Sequence, residues 1–481
     1  MKKSIALLLF LAMLLPNAVS CSDNDTGEMA ETFQTDETSA ETEPDKYQKA
    51  KDLYALLPSQ DLEGIDFMIA AQAATGNSEK EIWVEELTGD AVNDATYNRN
   101  LLVNERYNCN IQLNAGDVNS ITRQAVTAGD NTLKLAFPNM ATASSMAQLG
   151  YLVNYLDMPN LNLTEAWWDQ GTLAMEIAGK VYYMNGDINI LDNDVTYIQL
   201  FNKQLIIDIG LEEPYQLVRE GKWTIDMFQS MCKDVTTDLD GDGEFTDSDR
   251  YGYVTTGEGP CTFFYGSGLT LVSYDDEGVP YLNIDMEKTT AALEKVVDII
   301  SKDNITRIPS DVAIGKAMFM EDRVLFYGEV LSYVANVRDM ETPFGVLPIP
   351  KYDEAQENYY TYCNAISSTA CVPKSGNDIN VITAVLEAMA IQSHMQITPA
   401  YYDIALSRKY TRDDDSAEML DIALAYRVYD IGRFFSQIGV GDIFQNCAKN
   451  GSTNFASELA KKEKSAVTKL EKIVEDFTGQ D

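Results

Sequence analysis

A stretch of aspartates and glycines between Asp238 and Asp249 carries the most specific chemistry in the sequence. It places carboxylates at its first, third, fifth and twelfth positions and Gly243 at the sixth. Ca²⁺ takes about six to eight oxygen ligands around a tight turn, and this spacing supplies them. The stretch therefore predicts a structural Ca²⁺ site whose residues are Asp238, Asp240, Asp242, Glu244 (through its backbone carbonyl) and Asp249.

This loop departs from an EF-hand in two ways. Asp249 stands at the last position, where an EF-hand has Glu, and this resembles dockerin-type loops. The apolar residues after Arg250 predict a strand, so only the incoming helix, from Ile225 to about Val235, is expected. The alternative interpretation is an acidic surface turn that holds no ion.

Aromatic residues are the second chemical signal. The apolar faces of sugar rings stack on aromatic side chains, while sugar hydroxyls pair with Asp, Glu and Asn, so a cleft that combines both is a typical small-ligand site. For each aromatic alone, packing in the core is the competing interpretation, and Trp168 and Tyr182 are the leading core candidates. The aromatic clusters are Trp167-Trp168, Tyr182-Tyr183, Trp223, Phe263-Phe264-Tyr265, Phe326-Tyr327, Tyr359-Tyr360 and Tyr362.

Catalytic arrangements find little support. A Ser-His-Asp or Cys-His mechanism, or a zinc site containing histidine, would have to use His394, the single histidine of the sequence. Paired carboxylates for glycoside hydrolysis are a competing idea, but 75 acidic residues guarantee chance pairs, and no pair stands out. We therefore predict that the chain is not an enzyme and needs no organic cofactor.

The N-terminus predicts export and a lipid anchor. Two lysines precede an apolar run from Ile5 to Leu15, and small residues, Ala18 and Ser20, precede Cys21. The stretch resembles a bacterial lipobox, although Ala18 stands where such motifs usually carry Leu. We expect residues 1–20 to be a signal peptide and Cys21 to carry the lipid, palmitate included. The alternative is an ordinary secretory signal with a chance cysteine.

Residues 21–46 predict a disordered tether between the anchor and the folded body. From Ser22 to Asp45 the sequence has nine acidic residues and neither Lys nor Arg. Such a segment cannot bury enough apolar surface to offset the entropy lost on ordering.

The composition of the chain limits the kinds of partner that it can bind. The net charge of −39 over 481 residues argues against nucleic acid and against wide contact with anionic headgroups, and it suits neutral ligands, cations or a basic protein. No later apolar run has the length of a membrane span, so the lipid would be the only anchor. The six other cysteines are expected to be buried free thiols, although Cys363 and Cys371 are close enough to pair across a hairpin.

The elements that must position these residues alternate between strand and helix. This order predicts an α/β fold with helices on the faces of its sheets. The N-terminal candidates are strands Phe67–Ala70 and Glu81–Val84, helix Asn93–Tyr107, strand Ile111–Leu113, helix Ile121–Ala128 and strand Leu133–Phe137.

Several segments, in this order along the chain, resemble the bacterial extracellular solute-binding proteins of the carbohydrate type, which serve ABC importers and include the maltose-binding proteins. They are Asn93-Asp94-Ala95 with Arg99-Asn100 and Glu105-Arg106-Tyr107; Trp167-Trp168-Asp169; Gly186-Asp187-Ile188; Gly221-Lys222-Trp223-Thr224; the Asp-Gly loop before Tyr251-Gly252-Tyr253; and Gly345-Val346-Leu347-Pro348-Ile349-Pro350-Lys351-Tyr352.

The resemblance implies a two-lobed, periplasmic-binding-protein-like fold of type II, with mixed sheets, helices on both faces and a hinge. It implies lobe 1 at 61–195 plus 362–405 and lobe 2 at 196–361 plus 406–477. The chain would cross between the lobes near Asp194–Gln199 and Tyr360–Cys363. Strand order then implies ligand-binding residues at Tyr183, Asp187, Asp194, Phe264, Tyr265, Tyr327, Glu329 and Tyr362.

The function that the resemblance implies is capture of a sugar or oligosaccharide between the lobes and its delivery to an ABC permease. The protein would act as a monomer outside the cytoplasm, held at the cell membrane by its lipid. The alternative is a surface lipoprotein that binds or cleaves glycans without a transporter.

Overall fold

The computed structural model describes residues 45–72, 81–302, 304–376, 378–406 and 415–479. Cys21, the signal peptide and nearly all of the tether lie outside these residues, and their predicted roles stay predictions. Within the described part of the chain, no helix combines the length and the apolar character needed to cross a bilayer.

A three-stranded parallel sheet, in the order β2–β1–β3, forms the first half of the fold. β1 (Ile65–Gln72) pairs with β2 (Cys109–Gly116) and with β3 (Leu133–Phe137). Helices Ala91–Tyr107 and Val118–Ala128 connect these strands, and each begins at an aspartate whose side chain accepts a backbone N–H of the first turn. The predicted alternation of strand and helix is confirmed here.

The predicted strand at Glu81–Val84 is wrong. Glu81 and Ile82 are helical, and the two residues after them have no regular structure. The reason lies in the Glu81 side chain, which is fully buried and accepts the backbone N–H groups of Ile190 and Leu191 at 2.8 and 3.0 Å. Burial raises the pKa of this carboxyl to about 8.

A five-stranded mixed sheet, in the order β10–β4–β9–β5–β8, forms the second half. β4 and β9 are central and antiparallel, and β5 runs parallel to β9. These central strands are apolar and almost fully buried because helices cover both faces of the sheet. The strands are β4 (Tyr197–Asn202), β5 (Tyr251–Thr255), β8 (Thr306–Arg307), β9 (Val324–Val330) and β10 (Phe344–Leu347).

Two smaller pairs complete the strands. β6 (Val272–Tyr274) and β7 (Pro280–Leu282) form a hairpin, while β11 (Thr361–Tyr362) and β12 (Arg427–Val428) pair in parallel. The remaining α-helices are Gln48–Leu56, Met140–Gln148, Gln170–Leu173, Leu191–Asp194, Lys203–Ile209, Pro214–Arg219, Ile225–Cys232, Gly259–Gly266, Met286–Ser301, Val312–Met320, Tyr333–Asn336, Ile379–Leu406, Asp415–Ala425, Ile431–Phe434, Ile443–Lys449 and Phe455–Thr478.

One helix, Ile379–Leu406, contributes to the cores of both halves. Its N-terminal part, around Val385 and Ile391, packs with the three-stranded sheet, whereas Ile397 and Tyr401 pack with the five-stranded sheet. At about 1.5 Å per residue the helix is roughly 40 Å long, long enough to reach both. It therefore ties the two halves together within one element.

Buried side chains confirm the two leading core candidates. Trp168 and Tyr182 are 2% and 3% exposed. The indole N–H groups of Trp167 and Trp168 each donate to one oxygen of the buried Glu387, both at 3.0 Å. The six cysteines in the described part of the chain are buried free thiols, Cys363 and Cys371 included.

Candidate ligand-binding site

Three chain segments lie side by side where the two halves of the fold meet. Thr196 and Cys363 form an antiparallel bridge, and the Thr361 hydroxyl donates to the carbonyl oxygen of Tyr197 at 2.6 Å. Both segments fall where the sequence predicts crossings. The third segment, Arg427–Val428, pairs with Thr361–Tyr362 and was not foreseen.

A buried cluster of charges joins the third of these segments to residues just before the first. The Arg427 guanidinium lies 2.6 Å from the Asp169 carboxylate and 3.2 Å from that of Asp192, and it donates to Asn193 at 2.6 Å. Burial raises the pKa of Asp192 to about 7, although the positive charge of Arg427 opposes the rise. Because Asp169 belongs to the first half of the fold, Arg427 holds the crossing segments against it.

Three tyrosine rings stack beside the crossings. Tyr362 lies between Tyr197 and Tyr265, with ring centroids 5.8 and 5.0 Å away and interplanar angles of 11° and 14°. All three rings are buried. Offset stacking of this kind stabilises aromatic pairs beyond the area they bury, so the stack fixes the position of Tyr362.

A cleft of about 250 Å³ opens beside this stack. Ala141 of the helix Met140–Gln148 contributes to its wall from the first half of the fold, and Asn364 follows the second crossing. The other polar lining residues belong to the second half or to the crossings. The lining residues that matter for its chemistry are Ala141, Glu258, Tyr362, Asn364, Arg433 and Asp442.

Arg433 is the centre of the polar wall. Its two terminal nitrogens donate to Glu258 and Asp442, and its Nε donates to the Tyr362 hydroxyl at 3.2 Å. The guanidinium carbon also lies 5.9 Å from the centroid of the Tyr362 ring. One cation thus orients two carboxylates and one phenol along the wall.

The backbone around Arg433 is held by Asp430. This side chain accepts the N–H groups of Gly432 at 2.8 Å and of Leu271 at 2.6 Å, and burial raises its pKa to about 6. Glycine is required at 432 because a Cβ there would lie 2.7 Å from the Cβ of Leu271. The approach of Leu271 therefore sets the direction in which Arg433 leaves the helix Ile431–Phe434.

One of the eight predicted ligand residues, Tyr362, lines this cleft. Tyr265 stacks on it, and Phe264 contacts Tyr265 and Phe444 with centroids 5.1 and 5.2 Å away. These three are brought together, but the rings of Phe264 and Tyr265 are buried in the core behind the wall.

The other five predicted ligand residues lie elsewhere. The Tyr183 hydroxyl is 3.0 Å from that of Ser144, Asp187 lies 2.5 Å from the Nδ1 of His394, and Asp194 accepts from the Tyr401 hydroxyl at 2.7 Å. Tyr327 and Glu329 are buried in β9. Their roles as ligand contacts stay predictions.

Glu329 has the most unusual environment of this group. One carboxylate oxygen accepts the N–H of Val330 at 2.9 Å, and the other, Oε1, has no hydrogen-bond partner among the described residues. Burial raises the pKa of Glu329 to about 7, and its hydrogen bond from Val330 only partly offsets this.

Five polar lining residues escaped the sequence reasoning: Glu258, Asn364, Arg433, Ser436 and Asp442. The glycines at 432, 439 and 441, next to charged residues and to Phe434, are the signal that marks this stretch as a close-packed loop region. Nothing local connects it with Glu258, which is 175 residues away in the sequence.

The acidic loop brings three of its five predicted ligands together. One carboxylate oxygen from each of Asp238, Asp240 and Asp242 lies within 4.8 Å of the others. Asp249 instead turns into the loop, where its carboxylate accepts the N–H groups of Thr246 and Leu239 at 2.7 and 2.9 Å. These hydrogen bonds hold the pKa of Asp249 below its usual range.

The predicted neighbours of this loop are confirmed. The helix Ile225–Cys232 precedes it, with Thr224 as N-cap, and β5 follows directly after Arg250. In the described chain the loop is therefore preceded by a helix and followed by a strand, as the sequence predicts.

Comparison with known proteins places the fold. Neither a family model nor a curated protein matches the chain. Solved structures do. An ABC substrate-binding protein from Listeria monocytogenes, in complex with cycloalternan, matches at 14% identity and a TM-score of 0.52, covering 87% of this chain and 100% of that one.

Two further structures agree with it. The GacH receptor of Streptomyces glaucescens, solved unliganded and with acarbose, matches at 13% identity and a TM-score of 0.53 over 84% of this chain and 99% of that one. UspC of M. tuberculosis matches at 14% identity and a TM-score of 0.55, again over 84% of this chain and 99% of that one. The chain therefore has the two-lobed α/β fold of these structures, and the predicted fold class is confirmed.

Proposed function

We propose that this chain is a membrane-tethered, extracytoplasmic solute-binding protein that captures a sugar or oligosaccharide between its lobes and delivers it to an ABC permease. The observation that carries the proposal is the polar cleft beside the crossing segments. It opens where the two halves of the fold meet, and rotation of lobes about crossing segments is how such folds close on a ligand.

The chemistry of the cleft suits a saccharide. Glu258 and Asp442 present carboxylate oxygens that accept hydrogen bonds from hydroxyl groups, and Asn364 offers an amide. Tyr362 lies at the base, but Tyr197 and Tyr265 cover the two faces of its ring, so it supports the polar groups of the wall and offers no stacking surface. A small number of fixed polar groups beside an aromatic side chain is typical of a site for a small polar ligand.

Tethering is proposed through the lipid on Cys21. It is supported by the charged start of the sequence, the apolar run and the small residues before this cysteine. Cys21→Ala should release the protein into the medium or leave it unprocessed. A variant that is still membrane-bound and cut at the same place would contradict the anchor.

Ca²⁺ is proposed as a structural ion in the acidic loop. It is supported by the convergence of Asp238, Asp240 and Asp242, three hard oxygen donors, on one point. Asp249 at the last position would have to exchange its hydrogen bonds to the loop backbone for contact with the ion, or reach it through water.

The test of sugar capture is a screen of neutral mono- and oligosaccharides against the purified protein. A ligand that binds only the native state raises the Tm, and we expect at least one saccharide to do so. Asp442→Asn should then weaken that saccharide roughly 10- to 100-fold, since a hydrogen bond to a charged acceptor contributes about 1.5–3 kcal/mol.

Glu418→Gln is the matched control, because Glu418 pairs with Arg219 at the surface, outside the cleft. Its saccharide affinity should equal that of the wild type. The absence of a shift with every saccharide would overturn the proposal. The appearance of shorter saccharides during incubation would instead favour the glycan-cleaving lipoprotein.

A further inference from the structure

The charges that line the cleft are unequal. Among the lining residues that the structure describes, Glu258 and Asp442 are negative and Arg433 is positive. The wall therefore carries one more negative charge than positive, on a chain whose total is −39.

The positive charge is already committed. Each of the three guanidinium nitrogens of Arg433 donates to a protein group, and the side chain is only 12% exposed. These bonds use three of its five N–H groups, and the other two belong to the same nitrogens that donate to Glu258 and Asp442, so a ligand anion would have to approach beside these carboxylates or displace them. Like-charge repulsion from both carboxylates opposes either approach.

The two carboxylates, in contrast, can still accept hydrogen bonds from a ligand in the cleft. Glu258 pairs with Arg433 through Oε2 alone and Asp442 through Oδ1 alone, and their side chains are 33% and 57% exposed. The second oxygen of each carboxylate accepts no hydrogen bond from the described residues. Ionised carboxylates only accept, so a ligand must donate to them.

Three positive features near the cleft are weaker. Ala141 lies in the first turn of the helix Met140–Gln148, where the partial charge of the helix end is roughly half an elementary charge. Lys462 reaches the carbonyl oxygen of Gly439 at 2.9 Å but is not a lining residue. The Nζ of Lys469 would lie 3.9 Å from a Cβ at Gly439, and this lysine is not a lining residue either. Neither lysine lines the wall as the two carboxylates do.

We infer that this cleft selects neutral or aminated saccharides and excludes anionic ones, uronates and sugar phosphates included. The inference rests on the proposed function, since it concerns the ligand of the same site. Glu258 and Asp442 determine the specificity, and Arg433 is a positioning residue that holds them.

The first test compares matched saccharides by calorimetric titration at low and physiological salt. Each set contains a neutral sugar, its 2-amino derivative and its uronate, as monosaccharide and as disaccharide. The neutral and amino members should bind at least about 10-fold more tightly than the uronate, a difference of about 1.4 kcal/mol. Physiological salt should reduce this difference in affinity, because salt screens exposed charges.

The outcomes separate the two proposals. A uronate that binds as tightly as its neutral partner, or more tightly, overturns the inference and leaves sugar capture intact. Failure of every set to bind, together with no Tm shift in the oligosaccharide screen, overturns sugar capture itself, and the inference with it.

The second test reverses the charge of the wall. In the double variant Glu258→Gln with Asp442→Asn the lining charge becomes positive and Arg433 becomes available, so the uronate should gain at least about 10-fold relative to its neutral partner. Asp442→Asn alone, at the more exposed position, should also raise the affinity for the uronate relative to the neutral sugar. This single variant serves as the test if the double variant does not fold.

The control frees an arginine in the same manner outside the cleft. Arg219 holds Asp415 and Glu418 at the surface, so Asp415→Asn with Glu418→Gln matches the change in total charge. This pair should leave the uronate-to-neutral ratio unchanged. An unchanged ratio in both cleft variants, with circular dichroism like that of the wild type, overturns the inference.

Discussion

The acidic loop and the cleft both gather carboxylates, but they neutralise them differently. In the loop, one carboxylate oxygen from each of Asp238, Asp240 and Asp242 lies within 4.8 Å of the others, and none of the three makes an ion pair with a Lys or Arg that the structure describes. In the cleft, Glu258 and Asp442 share the guanidinium of Arg433. The loop therefore suits a free cation, whereas the cleft has its cation built in and presents the unused carboxylate oxygens to a ligand.

Glu329, inside β9, is a third case. It is neither part of a carboxylate cluster that could hold a free cation nor paired with an arginine of the described chain. Its carboxyl is buried, one oxygen has no hydrogen-bond partner among the described residues, and its pKa rises to about 7. The comparison shows that acidic composition alone says little about function. What the neighbours of each carboxylate supply, whether a cation, a backbone N–H or nothing, decides what the group can do.

The largest expected effect comes from removing the built-in cation. Arg433→Met leaves Glu258 and Asp442 facing each other without a counter-charge, and we expect a loss of about 2–4 kcal/mol in the free energy of unfolding, measured by urea denaturation. The corresponding surface variant, Arg219→Met, also unpairs two carboxylates, but the Arg219 side chain is 34% exposed against 12% for Arg433, so its loss should be clearly smaller. Equal losses would erase the distinction between the cleft and the surface.

Removing Ca²⁺ from the acidic loop should have the next largest effect on stability. If Ca²⁺ is bound at about 100 times its Kd, EGTA should lower the Tm by about 3 °C for a chain of this size. Asp240→Ala should lower both the Tm and the metal content in the same way. An unchanged Tm in excess EGTA, with no calcium in the purified protein, would assign the loop to an acidic turn.

The carboxylate with no cation should be visible in the pH dependence of stability. The pKa of Glu329 is about 7 in the folded state against 4.5 for its ordinary value, so the unfolded state loses its proton first, and the stability falls as the pH rises between those values. Glu329→Gln should therefore gain about 2 kcal/mol relative to the wild type between pH 5 and pH 8. Glu357→Gln, at an exposed position, should show no such trend.

The smallest expected effect concerns the phenol that Arg433 contacts. Tyr362→Phe removes the acceptor of the 3.2 Å hydrogen bond from the Arg433 Nε and should cost about 1 kcal/mol in saccharide binding, because the guanidinium then orients the wall less firmly. Tyr359→Phe removes a buried hydroxyl that donates to the Val218 carbonyl, away from the cleft. A larger loss of affinity in Tyr359→Phe than in Tyr362→Phe would place the ligand elsewhere.

Much of the architecture could be predicted from the sequence, because its signals are local. The apolar runs that form β1, β3, β5 and β9 are short and bounded by turns, and the periodic helices between them begin at aspartate or threonine caps. The spacing of aspartates and glycines from 238 to 249 likewise determined a tight acidic turn that follows a helix. Each of these depends on residues a few positions apart.

The cleft could not be predicted in the same way, because only the tertiary structure decides which aromatic and charged side chains remain accessible. Tyr265 and Tyr362 are both predicted ligand residues and both are buried in the stack, yet only Tyr362 reaches the wall of the cleft. Glu258 and Arg433 meet across 175 residues of sequence. Their encounter depends on how the crossing segments bring the second half of the fold back on itself, and no local pattern of residues encodes that packing.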